Sequence, residues 1–180
     1  MKKLTILIIM IMVTIGGLFA EEAAIEDKHK TSGFAIELGY GNAFAGYGIM
    51  GEFFFHNEFL SSSIFIGAGY FPSISIDGIG ETESSNGTVI GSRIYMGDNH
   101  RIVIETTYGF IGVQAAWLYT DGEECFVQED IIGFSLSFGY QYMGPDGGIF
   151  TITIGKSIAD TDYFGKLSLP TFNIGFGQKF

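Results

Sequence analysis

The sequence predicts an all-β fold, a closed antiparallel up-and-down barrel of about eight strands that crosses a membrane, and three observations predict it. Hydrophobic residues make up 47% of the 180-residue chain. Beyond Ala20, however, no apolar run approaches the ~20 residues a membrane helix needs. The apolar residues alternate instead: Ile132, Phe134, Leu136, Phe138, Tyr140 and Tyr142 are interleaved with Gly133, Ser135, Ser137, Gly139 and Gln141, the two-residue period of a strand with unlike faces.

The N-terminus stands apart from this pattern. Met1, Lys2 and Lys3 precede an apolar run from Leu4 to Phe19, then Ala20 and Glu21, which reads as a secretory signal peptide over residues 1–20. An uncleaved anchor is the alternative, since the run exceeds the usual ~7–15 residues. Residues 21–31 are expected to form a short periplasmic segment. Residues 32–180 are the right length for one barrel domain.

The strands follow in order. Phe34, Ile36, Leu38 and Tyr40 alternate with Ala35, Glu37 and Gly39, and Phe172, Ile174 and Phe176 alternate with Asn173, Gly175 and Gly177. Between them lie Tyr47–Phe55, Leu60–Tyr70, Thr88–Met96, Arg101–Phe110 and Phe150–Ile158, each near the ~9–11 residues of a tilted membrane strand. A soluble barrel packs large apolar side chains inward. Here the opposite face carries Gly, Ser, Thr, Ala and occasional charges, which suit a polar lumen, so the large face is expected to meet lipid. In hydrocarbon an open sheet edge costs several kcal/mol per unsatisfied group, so the sheet must close.

The links fit the same plan. Those at 56–59, 97–100 and 144–148 are rich in turn formers. Phe71–Gly87 and Ile111–Ile131 read as long loops, Ala159–Lys166 as a medium one, and Gly41–Gly46 as a short one. Tyr40, Tyr70, Phe71, Tyr95, Tyr142 and Phe150 sit near strand ends, where interface girdles form.

The last strand, Phe172, Ile174, Phe176 and the terminal Phe180, resembles the C-terminal recognition strand of bacterial outer-membrane barrels. Gln178 departs from the aromatic usual two places before the end. In length and strand number, residues 32–180 resemble the OmpX and OmpA-barrel class. This resemblance implies a location in the bacterial outer membrane, contact with lipid and lipopolysaccharide, reading of the last strand by the barrel assembly machinery, and extracellular or host contacts through the loops.

By parity, Glu37, Glu52, Arg93, Glu105 and Lys179 point into the lumen, where charges must be paired or wetted. They are expected to form a network that plugs the interior, as the buried charge clusters of OmpA-like barrels do. Catalytic carboxylates are the alternative, but no apolar substrate pocket is visible beside them. Gly46 to Gly51 spells GxGxxG, yet a strand rather than a helix follows, so no dinucleotide site is read. His29, His56 and His100 are placed away from the outer leaflet and at no metal-ligand spacing.

Asp121, Glu123 and Glu124 in an outer loop could attract divalent cations or a basic surface. Cys125, the single cysteine, allows no internal disulfide. A net charge of −11 argues against nucleic acid. The sequence therefore predicts a non-enzymatic outer-membrane barrel without cofactor or metal, in a structural or adhesin-like role. A small pore, a lipid-modifying outer-membrane enzyme and a soluble ligand-binding barrel are the alternatives.

Overall fold

The structure, a computed structural model, describes residues 32–56, 61–73, 75–76, 80–120 and 123–180. The expected signal peptide and N-terminal segment lie outside the described residues, as do residues 57–59 of the first turn and Leu60, the expected start of the next strand.

Alternation becomes strand wherever it was read. The strands are β1 (Gly33–Gly41), β2 (Gly46–His56), β3 (Ser61–Phe71), the two-residue β4 (Ser75–Ile76) and β5 (Gly80–Glu81), β6 (Ser85–Met96), β7 (His100–Thr120), β8 (Glu123–Met143), β9 (Gly148–Thr161) and β10 (Gly165–Lys179). Apart from the small β4–β5 ribbon they form one closed barrel in the order β1-β10-β9-β8-β7-β6-β3-β2. Every neighbouring pair is antiparallel, and β1 closes on β10 from Ala35↔Lys179 to Gly41↔Asn173. Around the level where all eight pairings overlap, closure leaves the wall without a free edge. One end of the barrel holds the end of β2, the start of β3, the short links after β6 and β8 and the C-terminus, and is called the turn end. The other is called the hairpin end.

The faces divide as the alternation requires. In β8, Phe134, Leu136 and Phe138 are 44%, 40% and 52% exposed, whereas Ser135 and Ser137 are each 1% exposed. The same division runs through β3, β6, β7 and β9, giving a belt of outward isoleucines and aromatics.

Three expected loops are shorter than predicted. Ile111–Ile131 is not a loop: β7 and β8 stay paired to Thr120↔Glu123, with a register shift between Phe110 and Gly112. The bulge adds one residue and flips the phase of alternation, which is why the period seemed to stop there. The medium loop Ala159–Lys166 shrinks because β9 and β10 pair out to Thr161↔Gly165. Within Phe71–Gly87, β4 pairs with β5, and β6 already begins at Ser85.

The lumen also differs from a lining of small polar groups and charges. Two apolar clusters fill it, Ala43, Phe44, Ala45, Met50, Phe65, Val89 and Phe110 towards the hairpin end, and Ala35, Phe54, Tyr95, Val103, Met143 and Ile149 towards the turn end. Tyr95 is therefore not a girdle residue but an inward one, and Phe71 leans on the first cluster. The walls are unequal. β8, β9 and β10 line the lumen with Ser135, Ser137, Thr151, Thr153, Ser157 and Thr171. Large side chains of β2, β3, β6 and β7 reach across into the space these small residues leave, as an eight-stranded barrel requires.

Candidate functional site

Between the two apolar clusters lies a layer of charge, and parity places each member. On β2 the inward row reads Met50, Glu52, Phe54, so the carboxylate falls between the clusters; on β6 it reads Val89, Gly91, Arg93, Tyr95. Arg93 Nη1 donates to Glu37 Oε1 at 2.8 Å and to Glu52 Oε2 at 3.0 Å, and its Nε donates to Glu105 Oε2 at 2.7 Å. All four side chains are essentially without solvent contact. The guanidinium lies 5.0 Å from the centre of the Phe65 ring, so one face is covered by the hairpin-end cluster.

The network expected from the sequence is thus assembled at Glu37, Glu52, Arg93 and Glu105. Lys179 is buried as well, but a layer nearer the turn end, its Nζ 5.1 Å from the centre of the Phe54 ring.

Several members were not anticipated. Arg101 is buried, over the Tyr95 ring, although it shares parity with Glu105 and could have been read from that. Among the described residues the buried charges are Glu37, Glu52 and Glu105 against Arg93, Arg101 and Lys179, so the signs balance. The Tyr95 and Ser63 hydroxyls both donate to Glu52 Oε1. On the far wall Asn173 Nδ2 donates to Glu105 Oε1 at 2.6 Å and to Thr153 Oγ1 at 2.8 Å, and the Thr153 hydroxyl donates to Glu105 Oε1 at 3.3 Å. Charge-assisted bonds of this kind hold the carboxylates in register across the lumen.

The first link closes the site from above. Rather than arching outward, Gly41–Gly46 turns into the barrel as a 3-10 turn, Asn42–Phe44, with Ala43, Phe44 and Ala45 fully buried. Ala43 N donates to Asn173 Oδ1 at 2.9 Å, and Asn42 Nδ2 donates to Ser157 Oγ at 2.9 Å and Ser135 Oγ at 3.2 Å. The turn fits because glycines stand opposite it. A Cβ on Gly39 or Gly175 would lie 2.5 or 2.6 Å from the Phe44 ring, and one on Gly48 or Gly69 about 2 Å from the Phe44 carbonyl oxygen.

His56 ends β2 and His100 begins β7, both at the turn end; His29 lies outside the described residues. At the hairpin end, Glu129 accepts hydrogen bonds from the amides of Asp162 and Tyr163, and both oxygens of Asp130 accept from Ser85 Oγ at 2.7 Å. Of the loop acids singled out from the sequence, Asp121 and the side chains of Glu123 and Glu124 lie outside the described residues.

No family model matches the chain, and no curated protein matches its sequence. Among solved structures it is similar to the N-terminal β-barrel domain of Pseudomonas aeruginosa OprF, with 13% identity, a TM-score of 0.46, and coverage of 83% of this chain and all of that one. It is also similar to the Yersinia pestis outer membrane protein Ail, with 11% identity, a TM-score of 0.43 and the same coverage.

Proposed function

We propose that the chain is a non-enzymatic barrel of the bacterial outer membrane whose filled lumen gives it a structural or surface-contact role rather than that of a channel. The observation that carries this reading is the inversion of β8, with Phe134, Leu136 and Phe138 outward and Ser135 and Ser137 in the core. In water such a belt would expose apolar area far beyond the few hundred Å² soluble proteins tolerate. In lipid it is the favourable arrangement.

The lumen supports the second half of the reading. A balanced ionic layer lies between two apolar clusters, and an inward turn covers one of them. The layer is built for pairing rather than proton transfer, since Glu37, Glu52 and Glu105 all converge on Arg93. In this reading the turn end faces the periplasm and the paired β7–β8 extension projects outward. Lipid and lipopolysaccharide cover the belt, the assembly machinery reads Phe172, Ile174, Phe176 and Phe180, and any extracellular ligand meets the hairpin-end segments.

Cell fractionation with surface proteolysis tests the location, and a gel of heated and unheated samples tests closure. Recovery in the outer membrane with a heat-dependent change in mobility is expected. A mature protein that stays soluble without detergent would overturn the proposal.

A further inference from the structure

The outer wall is not evenly covered. A groove of about 640 Å³ runs obliquely over β2, β3, β6 and β7, with Gly51, Ser92 and Thr106 among its small residues and Ile66, Ile90 and Tyr108 among its large ones. Ser92 Oγ and Thr106 Oγ1 lie 2.9 Å apart and satisfy one another, so the floor presents little unmet polarity to hydrocarbon.

Ile90 and Tyr108 also line a second depression of about 440 Å³ nearer the hairpin end, together with Asn86, Thr88 and Asp130. This cleft opens where the wall parts. The β6–β7 pairing stops at Val89↔Gly109, while β6 continues to Ser85 beside β3 and β7 continues beside β8. Gly109, with φ +141, sits at the parting, and a Cβ there would lie 2.4 Å from the Thr88 carbonyl oxygen.

An apolar trough thus leads into a polar mouth. We infer that the β3–β6–β7 face is a binding site for one amphiphile, its alkyl chain in the groove and its head in the cleft. The inference rests on the membrane reading above. The head class follows from charge: the exposed Asp130 carboxylate, which accepts one hydroxyl from Ser85, keeps its negative charge and further lone pairs at the mouth and so suits an amine and repels a phosphate, while Asn86 and Thr88 can donate to or accept from either. The groove is lined by side chains of adjacent strands and is narrow compared with the wall of a whole barrel, so a single flexible alkyl chain can enter it where the broad face of a second copy would only bridge it.

The test uses the full-length protein in phosphatidylcholine nanodiscs with C12 probes carrying a chain diazirine and either an amine or a phosphate head. Peptide mapping after photolysis should show saturable labelling at Ile66, Ile90 and Tyr108, with the amine saturating at about threefold lower mole fraction, the size of an exposed ion pair. Asp130→Asn should erase the amine preference but keep the labelling. Ser92→Leu with Thr106→Val, which fills the groove, should remove saturable labelling, while Ile154→Phe on β9 should not.

Even labelling around an inserted barrel, indifferent to the groove variants, would overturn the site. A phosphate probe binding as well as the amine would overturn its chemistry. Failure of the protein to enter nanodiscs would instead overturn the membrane reading.

Discussion

Asn173 and Glu105 face each other across the lumen from β10 and β7, joined by a 2.6 Å hydrogen bond from Nδ2, while Asn173 Oδ1 accepts the amide of Ala43. One side chain thus ties the ionic layer to the inward turn. Asn173→Leu should leave Glu105 Oε1 with only the longer bond from the Thr153 hydroxyl and the buried Ala43 amide without its acceptor, destabilising the barrel by about 1–3 kcal/mol. The midpoint of urea unfolding in detergent checks this. A double-mutant cycle with Phe44→Ala should reveal coupling between the turn and the charges, and strict additivity would argue against the tie.

Removing Arg93 leaves three buried carboxylates without the cation they share. Arg93→Met is expected to cost about 3–5 kcal/mol or to prevent folding. Arg93→Lys should recover only part of this, because an ammonium cannot reproduce a fork that meets Glu105 through Nε and Glu37 and Glu52 through Nη1. The two variants, compared by the temperature at which the unheated gel band is lost, should rank wild type, Lys, Met.

The inward turn predicts electrical silence. Planar-bilayer recording of the wild type should show no sustained conductance, whereas replacing residues 42–45 by a two-residue hairpin should admit water to the ionic layer. A cysteine placed at Val89, beneath the turn, should then react with a water-soluble maleimide that leaves the same cysteine untouched in the otherwise intact barrel. Phe44→Ala should lower stability by about 3–5 kcal/mol, as expected for an emptied aromatic site.

The belt can be probed at one level of β8. Phe138→Arg should reduce folding into lipid vesicles by about 2–4 kcal/mol if placed near the bilayer midplane. Phe138→Leu should change little. A Phe138→Arg protein that inserts as well as wild type would count against lipid on that face.

Much of this architecture was legible in the chain because a two-residue period encodes facing directly. Glu37, Glu52, Arg93 and Glu105 could be grouped without coordinates, since each shares parity with a clear strand and burial demands that charges meet. Tyr95 stands two residues from Arg93 on the same face, yet an aromatic near a strand end suggests a girdle, and only Glu52 shows why a buried hydroxyl is wanted there. Arg101 shares the parity of Glu105 and is buried with it. The β7–β8 extension was hidden by the bulge at Phe110. The inward turn had no local signal at all, because what holds Asn42 and Ala43 lies on β8, β9 and β10, about a hundred residues away in the chain.

That distance carries a consequence for biogenesis. Phe44 comes from the first hairpin, yet the slot that receives its ring is completed by Gly175 in the final strand. The lumen therefore finishes packing only when first and last strands zip together, a contact of high sequence separation that forms late and slowly. A chain stalled before its last strand pairs would hold an aromatic side chain with part of its slot missing, so ring burial at Phe44 serves as an internal timestamp of barrel closure.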